Sequence, residues 1–467
     1  MERPPPPGIP PSKVPVPRTV PYPFPAHRID PDAAKVVRRL TRHGHVAYLV
    51  GGCVRDLLLG RTPKDFDITT SARPNEVKAL FRNCRVIGRR FRLAHILFGG
   101  GKILEVATFR RDPALGSDGN DEWEDRGAEG ESGAPGEDAI ARRPSKPRDD
   151  AADLLIRHDN VFGEPHEDAV RRDFTMNALF YDLERQEIVD YVGGLAEIER
   201  RVIRTIGEPD VRFREDPVRI LRAIKFAARL DLGLEPDVYD AMVAHRDDLL
   251  RAARPRLLEE LLRLLRGGAS RRSFWLAWET GVLSVLLPEL SSFLDDDPGG
   301  QARLWARLAQ IDASVARGDL PNDAVLFSSL LLEPVEEAMD GERDAALAVT
   351  DFLGEPVARL AIPRRLTDRM RQLLSIQRRL RTARIGSLAR RDYYAEAAQV
   401  YAFDARARGE AEPVIEAILA GREPGAAPRG GGGGQGGGRR SSQRPPRASS
   451  SNRPPEDGAQ QRLDLEG

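Results

Sequence analysis

Two aspartates one residue apart, Asp65 and Asp67, follow a glycine pair and an arginine within the stretch VGGCVRDLLLGRTPKDFDITT (50–70). On a strand, alternation turns both carboxylates to one face and sends Phe66 to the other, into the core. Carboxylates placed in this way can share two Mg2+ ions, the arrangement needed for in-line nucleotidyl transfer. Gly51 and Gly52 close the preceding apolar run and open a helix. Lacking Cβ atoms, they let the backbone approach a phosphate, and the helix start points N–H groups toward it. Arg55 adds a guanidinium fork at the same mouth. Asp-x-Asp alone, or Gly-Gly alone, is commonplace at a solvated strand or an ordinary turn. Their ordered combination is much rarer.

Two later stretches carry further polar groups at regular spacing. In VRRDFTMNA (170–178), Arg172 precedes Asp173, and Asn177 lies four residues beyond it. On a helix that spacing would present Asp173 and Asn177 together. In REDPVRILRAIKFAARL (214–230), Asp216 reads as an N-cap and Pro217 as the first helical residue, ahead of an apolar face. That pattern leaves Arg219, Arg222, Lys225 and Arg229 on another face. A carboxylate beside an arginine, such as Asp216 with Arg219, can read an adenine edge, accepting from its amino group and donating to a ring nitrogen. Glu105, in ILEVATF, is a rival third acid, expected beside the Asp-x-Asp strand and turned to the same face.

The elements that must position these groups have two textures. From about residue 33 to 191, helix and strand signals alternate: AAKVVRRLTRHG is an amphipathic helix with a glycine stop, VAYLV and DFDITT are strands, ILFGGGKILEVATF is a hairpin and EIVDYV is another edge. Beyond about residue 197, leucine-rich helical periodicity takes over. The expected fold is therefore α+β, a β-sheet head (29–191) followed by an all-helical neck (192–253) and a helical body and tail (254–423). Three segments read as disordered: a proline-rich N-terminal arm (1–28), an insertion (112–153) that is acidic near DGNDEWEDRGAEGE, and a Gly/Arg-rich C-terminal tail (424–467).

Composition narrows the partners. Lysine plus arginine and aspartate plus glutamate both total 72, so the formal charge is zero and any nucleic-acid contact must come from local clustering. Two cysteines, Cys53 and Cys84, form neither a disulfide framework nor a zinc set. No apolar run is long enough to span a bilayer, and the N-terminus has no signal core, so a cytoplasmic protein is expected. Arg364, Arg365, Arg369, Arg371, Arg378, Arg379 and Arg381 could form a basic face that tracks an RNA backbone.

LVGGCVRD followed by DFDITT resembles the signature of the class II nucleotidyltransferases, the family of bacterial poly(A) polymerases and tRNA CCA-adding enzymes. DAVRRDFTMNALFYD, from Asp168, is similar to its ribose-binding motif, and the stretch from Arg214 to its base-reading motif. The resemblance covers roughly residues 29–290. It implies template-independent transfer of AMP from ATP to an RNA 3′ end, with CCA addition to tRNA, or RNA binding without catalysis, as alternatives. It further implies Mg2+ on Asp65 and Asp67, with Asp173 as a third acid. Gly51, Gly52, Arg55, Arg172 and Asn177 would bind the nucleotide, and Asp216, Arg219 and Arg222 would select the base. Lys225 stands where the family often has arginine. The run GRRFRLAH (88–95) looks like the poly(A) polymerase version. ATP and an RNA 3′ end are the expected partners of a monomer, with RNA-decay proteins a candidate third class.

Overall fold

The computed structural model describes residues 16–88, 92–111 and 161–424. The readings made of Arg89, Arg90 and Phe91, of the acidic insertion and of the C-terminal tail lie outside the described residues.

The head is an eight-stranded mixed sheet ordered β1-β10-β9-β2-β3-β6-β5-β4. Its strands are β1 (Arg18–Pro21), β2 (Ala47–Val50), β3 (Asp67–Thr70), β4 (Cys84–Ile87), β5 (Leu93–Leu97), β6 (Ile103–Thr108), β9 (Leu179–Asp182) and β10 (Glu187–Asp190). A separate short ribbon pairs β7 (Arg110–Arg111) with β8 (Val161–Phe162). The expected hairpin is β5 against β6, antiparallel, whereas β3 and β6 run parallel with Ile68 opposite Val106. Alternation sorts the core. Leu49, Tyr181 and Ile188 enter the main core, while their neighbours Val50, Phe180 and Val189 pack with Phe109 and Ala178 on the opposite face.

One boundary is corrected. Residues 18–21, assigned to the N-terminal arm by their proline content, form the edge strand β1, with Thr19 opposite Val189 and Val20 opposite Ile188. The β-branched pair supplies the strand propensity, and the flanking proline is tolerated because the strand lies at an edge. Helix α1 (Pro31–Arg42) then starts on Asp30, whose Oδ1 accepts from the amides of Asp32 and Ala33 at 2.9 and 3.0 Å. It buries Ala33, Val36, Val37 and Leu40 against the sheet.

After α2 (Gly52–Leu58), α3 (Pro74–Leu80) and α4 (Pro165–Val170), the neck begins with α5 (Gly194–Arg200), α6 (Pro209–Glu215), α7 (Val218–Leu230), α8 (Pro236–Ala244) and α9 (Arg254–Arg266). The helical body continues to Leu419, and one hydrophobic core runs from Phe24 in the head to Ile418 in the last helix. The body holds a buried ionic knot in which Arg307 donates to Glu333, to Asp404 at 2.9 Å and to the Ser329 carbonyl at 2.7 Å. Among the described residues, no helix is long and apolar enough to cross a membrane. Cys53 and Cys84 are free and buried, and burial pushes the Cys53 thiol up to about 12.

The junction of head and neck is stitched through the segment 173–178. The amide of Thr175 donates to Arg204 O at 3.0 Å and that of Ile206 to Asp173 O at 3.2 Å. Arg212 donates to the carbonyls of Arg171 and Arg172 at 3.0 and 2.6 Å. Asp190 caps α5 by accepting from the amides of Val192, Gly193, Gly194 and Leu195. Gly194 packs directly on this segment, and a Cβ there would lie 2.2 Å from the Thr175 carbonyl oxygen. Gly194→Ala should therefore displace the turn bearing Asp173 and Asn177, lowering stability by about 1–3 kcal/mol in urea titration. Nucleotide affinity should fall with it, and an unchanged denaturation midpoint would refute this close packing.

Candidate active site

Strand β2 is followed by Gly51, whose φ of +74° is a left-handed value that suits only glycine. A side chain there would also crowd Arg172, whose Nη1 would lie 3.1 Å from the added Cβ. Helix α2 starts at Gly52 and carries the buried Arg55. Arg55 donates to Asp56 Oδ1 from Nε and Nη2 at 2.9 and 2.6 Å, and from Nη1 to Asn177 Oδ1 at 2.7 Å. The amide of Asn177 donates to Asp173 Oδ1 at 3.0 Å, and Arg222 closes on Asp173 Oδ2 at 2.6 Å. Asp173 and Asn177 thus meet as their spacing suggests. The backbone between them is a bend and the 3-10 turn Thr175–Asn177, however, and not an α-helix.

Burial alone would raise the Asp173 carboxyl, but Arg222, the Asn177 amide and the Phe174 N–H together hold it at about 2. Asp67 shows the opposite balance. Its surroundings raise it by desolvation, next by Glu105 and, more weakly, by Asp65, with Arg172 and Arg55 offsetting only part. The strand begins at Asp67, so Asp65 lies just before the regular pairing; both are exposed, and Phe66 is only partly buried against the core. Glu105 sits beside Asp67 through the parallel register of β6 and lies 3.5 Å from His95. The structure therefore sets Glu105, not Asp173, electrostatically next to Asp67, while the oxygens of Asp173 are already occupied.

Arg172 is held by Asp168, with Nη2 2.8 Å from Oδ2, and its guanidinium lies 5.7 Å from the Phe180 ring centroid. Asp216 joins two helices: it ends α6, accepts from the Val218 amide at 3.3 Å, and takes Arg256 of α9 at 2.8 Å. The N-cap of α7 is Pro217, one residue later than expected. Arg219 is buried against Glu215 at 3.1 Å and does not meet the Asp216 carboxylate. Lys225 pairs with Glu260 at 2.7 Å, and Arg229 is exposed outside the cleft, so the expected four-residue basic face reduces to Arg219 and Arg222.

Gly51, Gly52, Arg55, Asp67, Arg172, Asp173, Asn177, Asp216, Arg219 and Arg222 line one open cleft of about 830 Å3, with Asp67 on the head side and Asp216, Arg219 and Arg222 on the neck side, whereas Asp65, Glu105, Lys225 and Arg229 do not line it. Sequence reasoning missed its far wall, where α9 contributes Arg256, Glu259, Glu260 and Arg263. The alternation of arginine and glutamate on that helix was the available signal. The distal arginines behave differently from expectation. Arg369 pairs with Asp392 and Glu396, Arg364 and Arg371 with Asp368 of their own helix, Arg378 with Asp340, and Arg381 with Glu336 and Asp404, so five of the seven arginines face an acid.

A divalent cation fits the donor chemistry of the head side. Among the described residues, the carboxylates of Asp65 and Asp67 have no hydrogen-bond or ion-pair partner, and no three histidine, cysteine or acidic residues form a closed cage. Mg2+ suits such an open site, since it binds through one or two carboxylates plus waters and substrate phosphates.

Three family models match the chain: the poly A polymerase head domain over 47–204, the probable RNA and SrmB-binding site of polymerase A over 231–294, and the polymerase A arginine-rich C-terminus over 338–411. Poly(A) polymerase I of Salmonella typhimurium is 39% identical over 75% of this chain and 72% of its own length. The CCA-adding enzyme of Geobacillus thermodenitrificans is 38% identical over 56% of this chain and 55% of its own. The crystal structure of the Bacillus stearothermophilus CCA-adding enzyme in complex with CTP superposes with a TM-score of 0.58 at 27% identity. It covers 84% of this chain and 82% of that one.

Because folding lowers the Asp173 carboxyl, its contribution to stability is present above its ordinary value of 3.8 and lost as pH falls through about 2. The stability difference between the protein and Asp173→Asn should accordingly shrink by roughly 2 kcal/mol between pH 5 and pH 2. Asp67 has the opposite sign, since its raised carboxyl weakens the fold as pH rises through it. Asp67→Asn should thus melt no lower than the parent at pH 7, while losing turnover; a lower melting temperature would contradict the repulsion seen here. With its glycine turn, arginine clamp and acidic strand end converging on one cleft, and its likeness running through all three regions, the chain belongs to the bacterial poly(A) polymerase I family of nucleotidyltransferases.

Proposed function

We propose that the chain adds AMP from ATP to RNA 3′ ends without a template, releasing pyrophosphate. The observation that carries this reading is the extent of the likeness. Sequence similarity to poly(A) polymerase I covers 75% of the chain, and the family model of the polymerase A arginine-rich C-terminus matches 338–411, whereas sequence similarity to the CCA-adding enzyme of Geobacillus thermodenitrificans covers 56%.

In this reading Gly51 and Gly52 bring backbone against the triphosphate, and Arg55 and Arg172, each fixed by an acid, face its charge from a preset geometry. Asp65 and Asp67 would hold Mg2+, which when bound activates the 3′-hydroxyl and offsets the phosphate charge. Glu105 is the third acid of that group by its place beside Asp67. Asp173 instead positions, keeping Asn177 and Arg222 oriented toward the ribose and base. Asp216 offers its carboxylate to the adenine amino group, in competition with Arg256. Residues 231–294 would contact RNA, and action as a cytoplasmic monomer beside RNA-decay proteins completes the proposal.

The test offers a labelled generic RNA, and a tRNA lacking CCA, with each nucleoside triphosphate alone and with ATP plus CTP. ATP alone should give long ladders on the generic RNA, and Asp67→Ala should abolish them. Asp216→Ala should narrow the preference for ATP by about tenfold to a hundredfold. Two C residues and one A added only to the tRNA would replace this reading with CCA addition.

A further inference from the structure

Arginine is used differently on the two sides of this molecule. In the body it is mostly matched with acids, as with Arg359 on Glu289 at 2.8 Å and Arg266 on Asp323 at 2.6 Å. Helix α1 breaks that pattern. Lys35, Arg38, Arg39 and Arg42 recur at three- and four-residue spacing along its exposed face, while the opposite face is fixed in the core. Lys35 reaches Asp32 at 3.0 Å, but Arg38, Arg39 and Arg42 have no carboxylate in reach among the described residues. The acids at the start of α1 are themselves satisfied by Lys102, at 2.6 Å from Asp30 and 3.0 Å from Asp32.

This stripe walls a cleft of about 600 Å3 whose other side is Phe81, Asn83 and Phe98, and no acidic residue lines it. None of its residues belongs to the catalytic cleft. The Arg39 guanidinium lies 5.3 Å from the Phe81 ring centroid. A guanidinium held on a ring in this way presents a flat cationic surface on which a base can stack. The Asn83 amide donates to the Leu97 carbonyl, so its oxygen is left to accept from a base.

We infer that the α1 stripe, with Phe81 and Phe98, is a second RNA-binding site on the head, which holds single-stranded RNA remote from the reacting 3′ end. Unpaired arginines suit a phosphodiester backbone, and the aromatic wall suits unstacked bases better than it suits an acidic peptide. The identity of the strand as substrate RNA rests on the polyadenylation reading; the site itself does not.

The test compares the full chain with Arg38→Gln/Arg39→Gln/Arg42→Gln, since glutamine keeps the helix propensity of this exposed face, with melting temperature as a folding check. A labelled 40-mer and an 8-mer of about those lengths are titrated over a range of KCl, and ATP incorporation is followed on each. Kd for the longer RNA should weaken by about tenfold or more, and its log–log salt slope should become shallower by roughly two, at about 0.7 per lost phosphate contact. The short RNA should keep its affinity and turnover within about twofold, and the matching triple lysine variant should restore most of the slope. An unchanged slope and affinity for the long RNA would overturn the site, whatever the activity. Loss of polyglutamate binding with RNA binding retained would likewise overturn it, in favour of an acidic protein partner. Should the parent add no AMP while the triple variant still loses long RNA, the polyadenylation reading fails and the site stands.

Discussion

A single chain of hydrogen bonds holds the geometry of the cleft together. It runs from Asp56 through Arg55 to Asn177, then to Asp173 and Arg222, crossing from the first helix of the head to the long helix of the neck. Each link is buried or nearly so, which makes each partner costly to remove, because the group left behind is stranded in a poor solvent. Asparagine suits the middle position because it can accept from the arginine on one side and donate to the aspartate on the other. Head and neck are therefore tied together around the cleft, and the groups proposed to face phosphate and base share a common reference frame.

That network also supports the division of labour proposed for the acids. A carboxylate with its lone pairs already occupied is a poor site for a cation, and Asp173 is such a group. Asp67 is the reverse, crowded by Glu105 and only partly offset by arginines, so charge of the other sign is what its surroundings call for. The same logic recurs at Asp216, where Arg256 occupies an oxygen that a base would otherwise meet. In the proposed reading, base recognition there exchanges one donor for another.

The sequence made much of this legible, because motif residues are local. Gly51, Arg55, Asp67, Arg172, Asp173 and Asp216 were nominated from spacing and from family resemblance, and all six line the cleft. Partners were not legible. Whether Arg219 meets Asp216 or Glu215 depends on a helix boundary shifted by a single residue, and Arg256 reaches Asp216 from forty residues away. Counting arginines in the body overstated its free charge, since the compensating acids come partly from the same helix and partly from segments distant in sequence. Strand β1 was hidden by proline-rich composition, because an edge strand is made by its partner more than by its own residues.

That strand has a consequence for how the molecule comes into being. Arg18 pairs with Asp190, so the sheet cannot close until nearly two hundred residues have left the ribosome. Until then β1 has no partner, and an unpaired strand is open to association with other chains. The body is made of helices in close sequence and gathers by shorter-range contacts, which form faster than distant strand pairings. Arg222 reaches Asp173 only after its own helix has emerged. The cleft is thus among the last parts of the head and neck to assemble, and the polymerase matures at the seam between a slow sheet and a fast bundle.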